Sequence, residues 1–372
     1  MQSLRYRYPI GLDISEKEIY AAQLKQTHNK FEVRALFHRQ LNGEAEREDG
    51  GDYKNSLPLL LKEIAKYRQI SGKRVVLHLP SQNIFSFPIR FRVNNDESLD
   101  EAILKTSKEY LSFPIEEAIL DYPSLIQNST TDSREYKGII TAVKKQYLEN
   151  LLKLFKQAGM VVEAIDYPVC SMIRLHQYLY GAIENPIMLT HIGHSQSLLA
   201  VITEEGILAE RTVHWGMKNL QRKIMTNLEL SDDEAKAKLL LKNYGLIYET
   251  QKNSESNGTE GREHEDVDNM YRVIHQILSP YLEELIDEYH KMIGYLSSEQ
   301  GNVLFEGIYV YGPGALIHHL NGYIEGRLRI PAVIVNPLEN GRLEGDAMTF
   351  GDSEGTPFAL ALGLAMRKVT WL

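Results

Sequence analysis

The sequence of 372 residues contains a single cysteine, Cys170, so no disulfide bond can form within the chain. This scarcity excludes a disulfide-stapled scaffold and fits a reducing compartment. Stability must then come from an apolar core. Hydrophobic residues make up 43% of the sequence and charged residues 24%, which is an ordinary balance for a globular protein. The length is enough for roughly two to four packed units.

Long hydrophobic runs and an excess of basic charge are also missing. The best apolar stretch, Phe358 to Met366, is far shorter than the roughly 20 residues of a membrane-spanning helix. Residues 1–8 pass directly into a strand pattern and lack the apolar core of a signal peptide. The net charge of -9 disfavours nucleic acid as a partner. We expect any contact with a membrane to come through partners or a surface helix.

Two strand–turn–strand patterns open the two halves of the chain. In the first, Pro9 to Ser15 forms a strand pattern with Asp13 near its end, and Ile19 to Leu24 returns. In the second, Ile187 to Ser195 repeats the design, and Ser197 to Ile202 returns. Each pattern predicts a hairpin, because an apolar alternating run on both sides of a short polar turn is typical of paired strands.

A third stretch, Val310 to Ala315, runs from an apolar strand into a turn that contains Gly312 and Gly314. Glycine is needed where backbone passes close to a ligand, and the helix start beyond such a turn offers free N–H groups to an anion. On its own this signal is weak, because Gly-x-Gly after a strand is usually only a tight turn. Together with the two hairpins, it predicts parts of one nucleotide cleft.

This layout resembles the actin-like ATPase fold, in which each lobe offers one phosphate hairpin and adenosine sits on a glycine-rich turn of the second lobe. Further segments are similar to the PilM family of type IV pilus assembly proteins. These segments are Arg211 to Gly216, Leu220 to Leu228, Ser231 to Ala235, Ile330 to Ala332, Asn336-Pro337 and Phe358 to Ala365. The resemblance runs from about residue 9 to the C-terminus. It implies an α/β, two-lobed actin-like (ribonuclease H-like) ATPase fold with the 1C insertion of FtsA and PilM.

The resemblance also implies an order of subdomains along the chain. Their expected ranges are 1–82, 166–185 and 357–372 for 1A, 83–165 for 1C, 186–218 and 304–356 for 2A, and 219–303 for 2B. The strand Val161 to Ile165 is expected to complete the 1C insertion. A polar stretch near residues 250–268 cannot bury a core and predicts a disordered loop.

Phosphate hairpins of this fold use backbone N–H groups and small hydroxyls, while a carboxylate orients Mg²⁺ and its water. The resemblance makes ATP with Mg²⁺ the ligand to test, and the candidate nucleotide-binding residues are Asp13, Ser15, Lys17, Gly193, Ser195, Lys236, Gly312, Gly314 and Ala315. No metal site is predicted, because the pairs His191/His194 and His318/His319 lack the cysteine or carboxylate partners of a zinc pattern.

Three segments depart from the family pattern. Glu16 and Glu18 stand where the first hairpin usually has small residues, and a carboxylate about 5 Å from a phosphate costs on the order of 3 kcal/mol unless Lys17 or a metal offsets it. His191 replaces an aspartate, and imidazole holds Mg²⁺ poorly. Lys236 stands where the family has a glutamate near the ribose. We therefore predict a degenerate nucleotide site, no catalytic residues and negligible hydrolysis.

Other interpretations stay open. The register could slip by one residue, so that Ser195, Ser197 or Glu234 substitutes for the missing groups. The chain could be an active ATPase or sugar-kinase-like enzyme of the same fold, which ATP turnover would reveal. It could also be a filament-forming cell-division protein like FtsA, although such a protein is expected to carry a linker and a membrane-targeting helix after the fold. The cytoplasmic domain of GspL is a further relative.

By resemblance, the function is that of a scaffold in the type IV pilus machine. In the PilM family a groove between 1A and 1C takes the cytoplasmic tail of the inner-membrane protein PilN, and the body links the membrane ring to the motor ATPases. The candidates for this groove are Phe85 and Phe87, on the alternating strand Ile84 to Val93. The alternative is that both belong to the core. The expected place is the bacterial cytoplasm, peripheral to the inner membrane through partners.

Overall fold

A computed structural model of the chain describes residues 8–27, 30–41, 51–79, 83–94, 96–130, 133–231, 233–246, 263–301, 303–339, 343 and 355–368. The chain divides into two compact units. Unit 1 comprises Met1–Glu184, Ile202–Ala209 and Asn336–Leu372, and unit 2 comprises Asn185–Val201 and Glu210–Val335. Within the described residues, no helix combines the length and the apolar character needed to cross a membrane.

Strands and helices alternate along the chain. The strands are β1 (Ile10–Ile14), β2 (Glu18–Thr27), β3 (Lys30–Gln40), β4 (Arg74–His78), β5 (Phe85–Val93), β6 (Ala118–Thr130), β7 (Ser133–Lys144), β8 (Val161–Asp166), β9 (Ile187–Ile192), β10 (Ser197–Thr203), β11 (Gly206–Val213), β12 (Gly307–Tyr311) and β13 (Ala332–Ile334). The helices are α1 (Gly51–Lys66), α2 (Leu99–Ser107), α3 (Lys145–Gln157), α4 (Pro168–Tyr180), α5 (Met217–Asn227), α6 (Glu234–Asn243), α7 (Glu263–Gln300), α8 (Leu320–Leu328) and α9 (Ala359–Ala365).

The first sheet of unit 1 has the strand order β3-β2-β1-β4-β8. Strands β1 and β2 form the predicted first hairpin, while β1, β4 and β8 run parallel. All five residues of β1 are buried, which is expected for a strand covered on both faces. Side chains of β1 alternate, so that Ile10 and Leu12 enter a core with Leu57 and Leu61 of α1 and Phe155 of α3.

The last part of the predicted 1C insertion belongs to this first sheet. Helix α3 packs its apolar stripe into the core of the β1 sheet, and β8 pairs in parallel with β4 from Arg74 to His78. The prediction that the strand Val161 to Ile165 completes the insertion was therefore wrong. The physical reason is that an apolar pattern gives the faces of a strand but not its neighbours, which depend on residues far away in sequence.

A smaller antiparallel sheet in unit 1 has the order β5-β7-β6. The alternation predicted for β5 is present, with Phe87, Ile89 and Phe91 buried and the residues between them exposed. The buried face packs on α2, which contributes Ala102 and Ile103 to the same core. The N-cap residue of helix α2 is Ser98, which forms a complete capping box with Glu101. The box provides acceptors for the N–H groups of Ser98 and Glu101.

The second five-stranded sheet has the order β11-β10-β9-β12-β13, with β12 parallel to both β9 and β13. Helix α7 packs against it in unit 2, and its buried Tyr289 donates a hydrogen bond of 2.8 Å to Oγ1 of Thr190 on β9. Of the loop predicted near residues 250–268, residues 250–262 lie outside the part of the chain that the structure describes. Its last part is helical, because α7 begins at Glu263.

The close approach of α9 to β1 gives a test of this packing. A Cβ added at Gly11 would lie closer to the Ala361 carbonyl oxygen and the Ala365 nitrogen than van der Waals contact allows. We expect Gly11→Ala to lower the free energy of unfolding by about 1–3 kcal/mol or more, measured by urea denaturation. The matched control is Gly294→Ala in α7, where nothing lies within 4 Å. That change should be neutral or stabilise by about 0.5–1 kcal/mol, and equal losses in both variants would contradict the packing.

Candidate functional site

Three buried polar side chains lie in a row at the carboxyl ends of the parallel strands β1, β4 and β8. The register pairs Leu12 with Leu77, so Asp13 and His78 follow side by side, and His78 is paired directly with Asp166. Asp13, His78 and Asp166 are 4%, 7% and 6% exposed. Buried ionisable groups need partners, because an unpaired ion in the interior costs several kcal/mol. The row must therefore satisfy its own charges.

His78 is hydrogen-bonded through both ring nitrogens. Its Nε2 lies 2.6 Å from Oδ1 of Asp13, and its Nδ1 lies 3.0 Å from the carbonyl oxygen of Leu79. A carbonyl can only accept, so Nδ1 carries a proton, and one further proton lies between Nε2 and the Asp13 carboxyl group. Burial alone lowers the pKa of His78, but the charge of Asp13, the hydrogen bonds to Asp13 and Leu79 and the charge of Asp166 outweigh it and raise the pKa. The raised pKa favours the protonated ring.

Asp166 is held by two arginines. Arg174 of α4 donates to its Oδ2, and Nη1 of Arg367, which follows α9, donates to its Oδ1 at 2.6 Å. The backbone N–H of Tyr167 donates to the same Oδ1 at 2.9 Å. Arg174 also donates to the carbonyl of Gly363 at 3.1 Å, which ties α4 to α9. Asp166 is therefore matched by two cations of the protein itself, and Asp13 is hydrogen-bonded to His78.

The turn of the first hairpin is closed by its own hydrogen bonds. The Ser15 hydroxyl and the Ser15 N–H both donate to the carbonyl of Glu18 at 2.9 Å, and the hydroxyl accepts from the Glu18 N–H at 3.0 Å. The carbonyl of Lys17 accepts from the N–H of Leu41 at 2.8 Å. Neither donor of Ser15 is available for a phosphate in this conformation.

The carboxylate of Glu18 contacts one side chain of its own strand, β2, and one of the neighbouring strand, β3. Its Oε2 accepts from the Tyr20 hydroxyl at 2.8 Å, and its Oε1 lies 3.3 Å from Nε2 of His38. The rings of Tyr20 and His38 stack with centroids 4.5 Å apart. The predicted repulsion of a phosphate therefore rests on Glu16, which is half-buried in the turn with Lys17.

In unit 2 the turn of the second hairpin rests on the start of α5. The Gly193 N–H donates to the carbonyl of Gln196 at 3.0 Å, and the carbonyls of Gly193 and His194 accept from the N–H groups of Met217 and Lys218 at 3.1 and 2.8 Å. The first N–H groups of α5 are thus bonded to the hairpin and do not face an anion. Ser195 lies half-buried in this turn.

The glycine-rich turn after β12 meets the end of β9. Because β9 and β12 are parallel with His191 opposite Tyr311, a Cβ at Gly312 would lie 2.6 Å from Nε2 of His191. Gly312 has φ +86, which glycine adopts without strain. A Cβ at Gly314 would overlap Ile192. The space that these glycines leave is filled by side chains of β9, which is a packing reason for both residues.

The last two nucleotide-binding candidates are Ala315, after β12, and Lys236, on α6, and both belong to unit 2. The N–H of Ala315, 2% exposed, donates to the carbonyl of Gly312 at 3.1 Å. Lys236 lies in the first turn of α6, where its N–H donates to Oδ1 of the N-cap Asp233 at 2.9 Å. Its side chain is exposed. A lysine there cannot accept hydrogen bonds from ribose hydroxyls.

These residues do not fit the Mg²⁺ that the fold family implies. Mg²⁺ takes oxygen ligands in octahedral geometry, and the carboxylate predicted to face it, Asp13, is hydrogen-bonded to the ring of His78. Within the part of the chain that the structure describes, no group of three or more His, Cys, Asp or Glu side chains is arranged to hold a metal ion.

The two partner-binding candidates differ in position. Phe87 is 8% exposed, belongs to the core of the small sheet and stacks on Tyr110 with centroids 4.8 Å apart. Phe87 is therefore a core residue, and its assignment to a partner-binding surface stays a prediction. The alternation of β5 places Phe87 on the face that α2 covers. Phe85 is half-buried and meets Phe113 edge to face at 5.1 Å.

Two functional candidates escaped the sequence analysis. His78 was not singled out, although a polar residue at the end of an otherwise apolar strand, before Pro80, is a usable signal. Ser86 is the second, because its exposed hydroxyl on β5 lies 3.1 Å from that of Tyr167 at the start of α4. This contact marks the place where the small sheet meets the elements around the first one. The alternation of β5 already assigns Ser86 to the outward face.

A family model described as type IV pilus assembly protein PilM matches residues 11–252 and 251–369. The chain belongs to this family. Among solved structures it is similar to the "PilM-PilN type IV pilus biogenesis complex", with a TM-score of 0.72, 20% identity and coverage of 97% of this chain and 98% of the other. It is also similar to the ethanolamine utilization protein EutJ from Carboxydothermus hydrogenoformans, with a TM-score of 0.52, 12% identity and coverage of 98% and 91%.

A third solved structure supports the same fold for this PilM-family chain. MreB5 of Spiroplasma citri bound to ADP matches with a TM-score of 0.51, 13% identity and coverage of 96% of this chain and 95% of that one. The predicted α/β actin-like ATPase fold is confirmed by these matches. At these identities they establish the fold, and the family rests on the sequence match.

The charge state of His78 gives a test by pH. A group whose pKa is raised by folding stabilises fully below its unfolded value, near 6.5, and loses that contribution as pH rises through the folded pKa. We expect His78→Gln to cost about 3–5 kcal/mol near pH 6 and progressively less toward pH 9, measured by urea unfolding. His38→Gln, at a half-buried histidine of the same sheet, is the control. A cost for His78→Gln that stays constant or grows with pH would contradict the raised pKa of His78.

Proposed function

We propose that this protein is a cytoplasmic scaffold of type IV pilus assembly that binds the cytoplasmic tail of an inner-membrane protein of the PilN kind. The observation that carries the proposal is the PilM family match from residue 11 to 369, which leaves almost no part of the chain outside the family. A PilM solved together with PilN shares the fold over 97% of this chain. The scaffold would lie at the inner membrane through its partners and connect them to the motor ATPases.

The tail is proposed to dock along the outward face of β5 beside the start of α4. Ser86, Pro88, Arg90 and Arg92 alternate with the core phenylalanines and are exposed on this face. The contact of Ser86 with Tyr167 joins the small sheet to α4 and forms the floor of the proposed groove. An extended segment fits such a site because its alternate side chains can fill pockets on a sheet.

A blocking substitution tests the groove. We expect Ser86→Trp to weaken binding of a synthetic peptide with the cytoplasmic tail of the PilN homologue by about tenfold or more, because the indole would cover the groove floor. Fluorescence anisotropy with a labelled peptide measures this affinity. Ser298→Trp, at an exposed position of α7, is the matched control and should bind as the wild type does.

Circular dichroism must show that both tryptophan variants retain the native fold. Binding by folded Ser86→Trp at the wild-type affinity would place the tail elsewhere. Failure of the wild type to bind any peptide of this kind would refute the scaffold proposal.

We further propose that the nucleotide site is degenerate. Three features support this: Asp13 is bonded to His78, the donors of Ser15 are used within their own turn, and His191 borders Gly312 where a ligand could approach. Each removes a group that a phosphate or Mg²⁺ would require. The solved MreB5 binds ADP on the same fold, so the fold itself does not exclude a nucleotide.

Calorimetric titration with MgATP tests the degenerate site. We expect a dissociation constant weaker than about 1 μM, which corresponds to about 8 kcal/mol, and no detectable phosphate release. The combination Glu16→Ser, His191→Asp and Lys236→Glu should strengthen binding, because it restores the family's residues at three positions. Tight binding and turnover by the wild type would favour the alternative of an active ATPase. No gain in the triple variant would mean that these residues do not face the nucleotide.

A further inference from the structure

The outward face of the small sheet changes character along β5. Near the start of α4 this face presents Ser86 and Pro88, whereas its far half presents Arg90 and Arg92. The strand register places Lys137 of β7 directly opposite Arg90, so its side chain lies on the same face. These three cations form a basic patch on the half of the face that lies away from α4.

The basic patch is positive although the chain carries a net charge of -9. The same rows contain the carboxylate of Glu135, opposite Arg92, and its Oε1 lies 3.9 Å from Nε of Arg92. That distance is too long for a hydrogen bond, and the side chain of Arg92 is 71% exposed. Like charges directly opposite each other, such as Arg90 and Lys137, destabilise a pair of strands. An anion that lies over the patch would offset this repulsion.

We propose that the basic patch binds an extended acidic segment whose carboxylates occur at every second position. The inference rests on the proposed function, because this segment is the part of the tail that continues past Ser86. It adds the chemistry of that part of the tail, which must present carboxylate side chains to the sheet.

The spacing of the two arginines matches that of an extended chain. Arg90 and Arg92 are two residues apart on β5, which corresponds to about 6.5 Å along the strand. An extended segment has the same two-residue repeat, so carboxylates at alternate positions can meet both guanidinium groups. Residues two apart on a helix do not share a face. A guanidinium can hold a carboxylate by two parallel hydrogen bonds, which makes a carboxylate the best-matched acceptor.

The size of the basic patch favours a peptide segment over a membrane surface. Recognition of anionic lipids uses clusters of about four to eight lysines or arginines, and this patch has three cations in a strip across two strands. Exposed ion pairs are individually weak, and charge complementarity acts mainly on specificity and on the rate of association. The patch is therefore expected to select the segment, while apolar contacts elsewhere in the groove supply most of the affinity.

Two peptides of equal composition test the proposal. The first is a labelled peptide of about eight residues, with glutamate at every second position among serines, and the second is an isomer with glutamate at every third position. We expect the wild type to bind the first about fivefold or more tighter than the second at low salt, measured by fluorescence anisotropy. The reason is that the first peptide presents its carboxylates on one side and the second on both.

Charge reversal locates the site. The variant Arg90→Glu with Arg92→Glu should bind the first peptide about tenfold or more weakly than the wild type and should lose the preference between the isomers. Lys62→Glu with Lys66→Glu is the matched control, because it reverses two exposed cations of α1 and changes the net charge equally. It should bind both peptides as the wild type does. Circular dichroism must show the native fold in both variants.

The comparison of the two isomers on the wild type needs no variant, so it holds even where a variant does not fold. Equal binding of the isomers would overturn the proposal, and so would a preference that persists in folded Arg90→Glu with Arg92→Glu. Vesicles of phosphatidylglycerol distinguish the other anionic surface. Binding of the wild type to these vesicles but to neither peptide would make a membrane the occupant and would also overturn the proposal.

Neither peptide contains the tail, so the probes separate this proposal from the function on which it rests. A wild type that prefers the first peptide but binds no tail peptide would refute the scaffold proposal and leave the acidic-segment site in place. A wild type that binds the tail but does not distinguish the isomers would keep the scaffold proposal and overturn the acidic-segment site.

Discussion

A buried ionic contact between Asp13 and His78 constrains the edge of the first sheet. Neither charge can lie in the interior alone, because an unpaired buried ion costs several kcal/mol. Asp13 is the penultimate residue of β1 and His78 the last residue of β4, so the contact forms only when these strands are parallel neighbours in the observed register. Strand β8 extends the same row through Asp166. The arginines bonded to Asp166 are Arg174 of α4 and Arg367, which follows α9. One charge requirement thus links elements from four parts of the chain.

Both units satisfy the ends of their central strands with their own atoms. In unit 1, Ser15 closes the first turn, and in unit 2 the N–H groups at the start of α5 bond the second turn. The side chain of His191 fills the space beside Gly312. In a nucleotide-binding protein such donors and such space serve phosphates. Here the donors of Ser15 and of the start of α5 are bonded within the protein.

Much of the fold follows from local patterns. The hairpin of β1 and β2 and the alternation of β5 were predicted close to their observed bounds, because each depends on residues only a few positions apart. Which strands pair with one another in a sheet was harder to predict from the sequence. Strand β8 was assigned to the wrong sheet, since its neighbour β4 lies more than 80 residues earlier and both strands are apolar. The family match succeeded because it draws on motifs spread along almost the whole sequence.

The sequence by itself determined the family, the actin-like fold and the three turns in which site residues lie, since these depend on motifs that are contiguous in the chain. Only the tertiary structure decided what those residues do. Asp13 could be named from the sequence, but its partner is 65 positions away and is set by strand pairing. Phe87 could be placed on one face of β5, but whether that face meets solvent or α2 is decided by packing. A side chain's function depends on its neighbours in space, and long-range pairing supplies them.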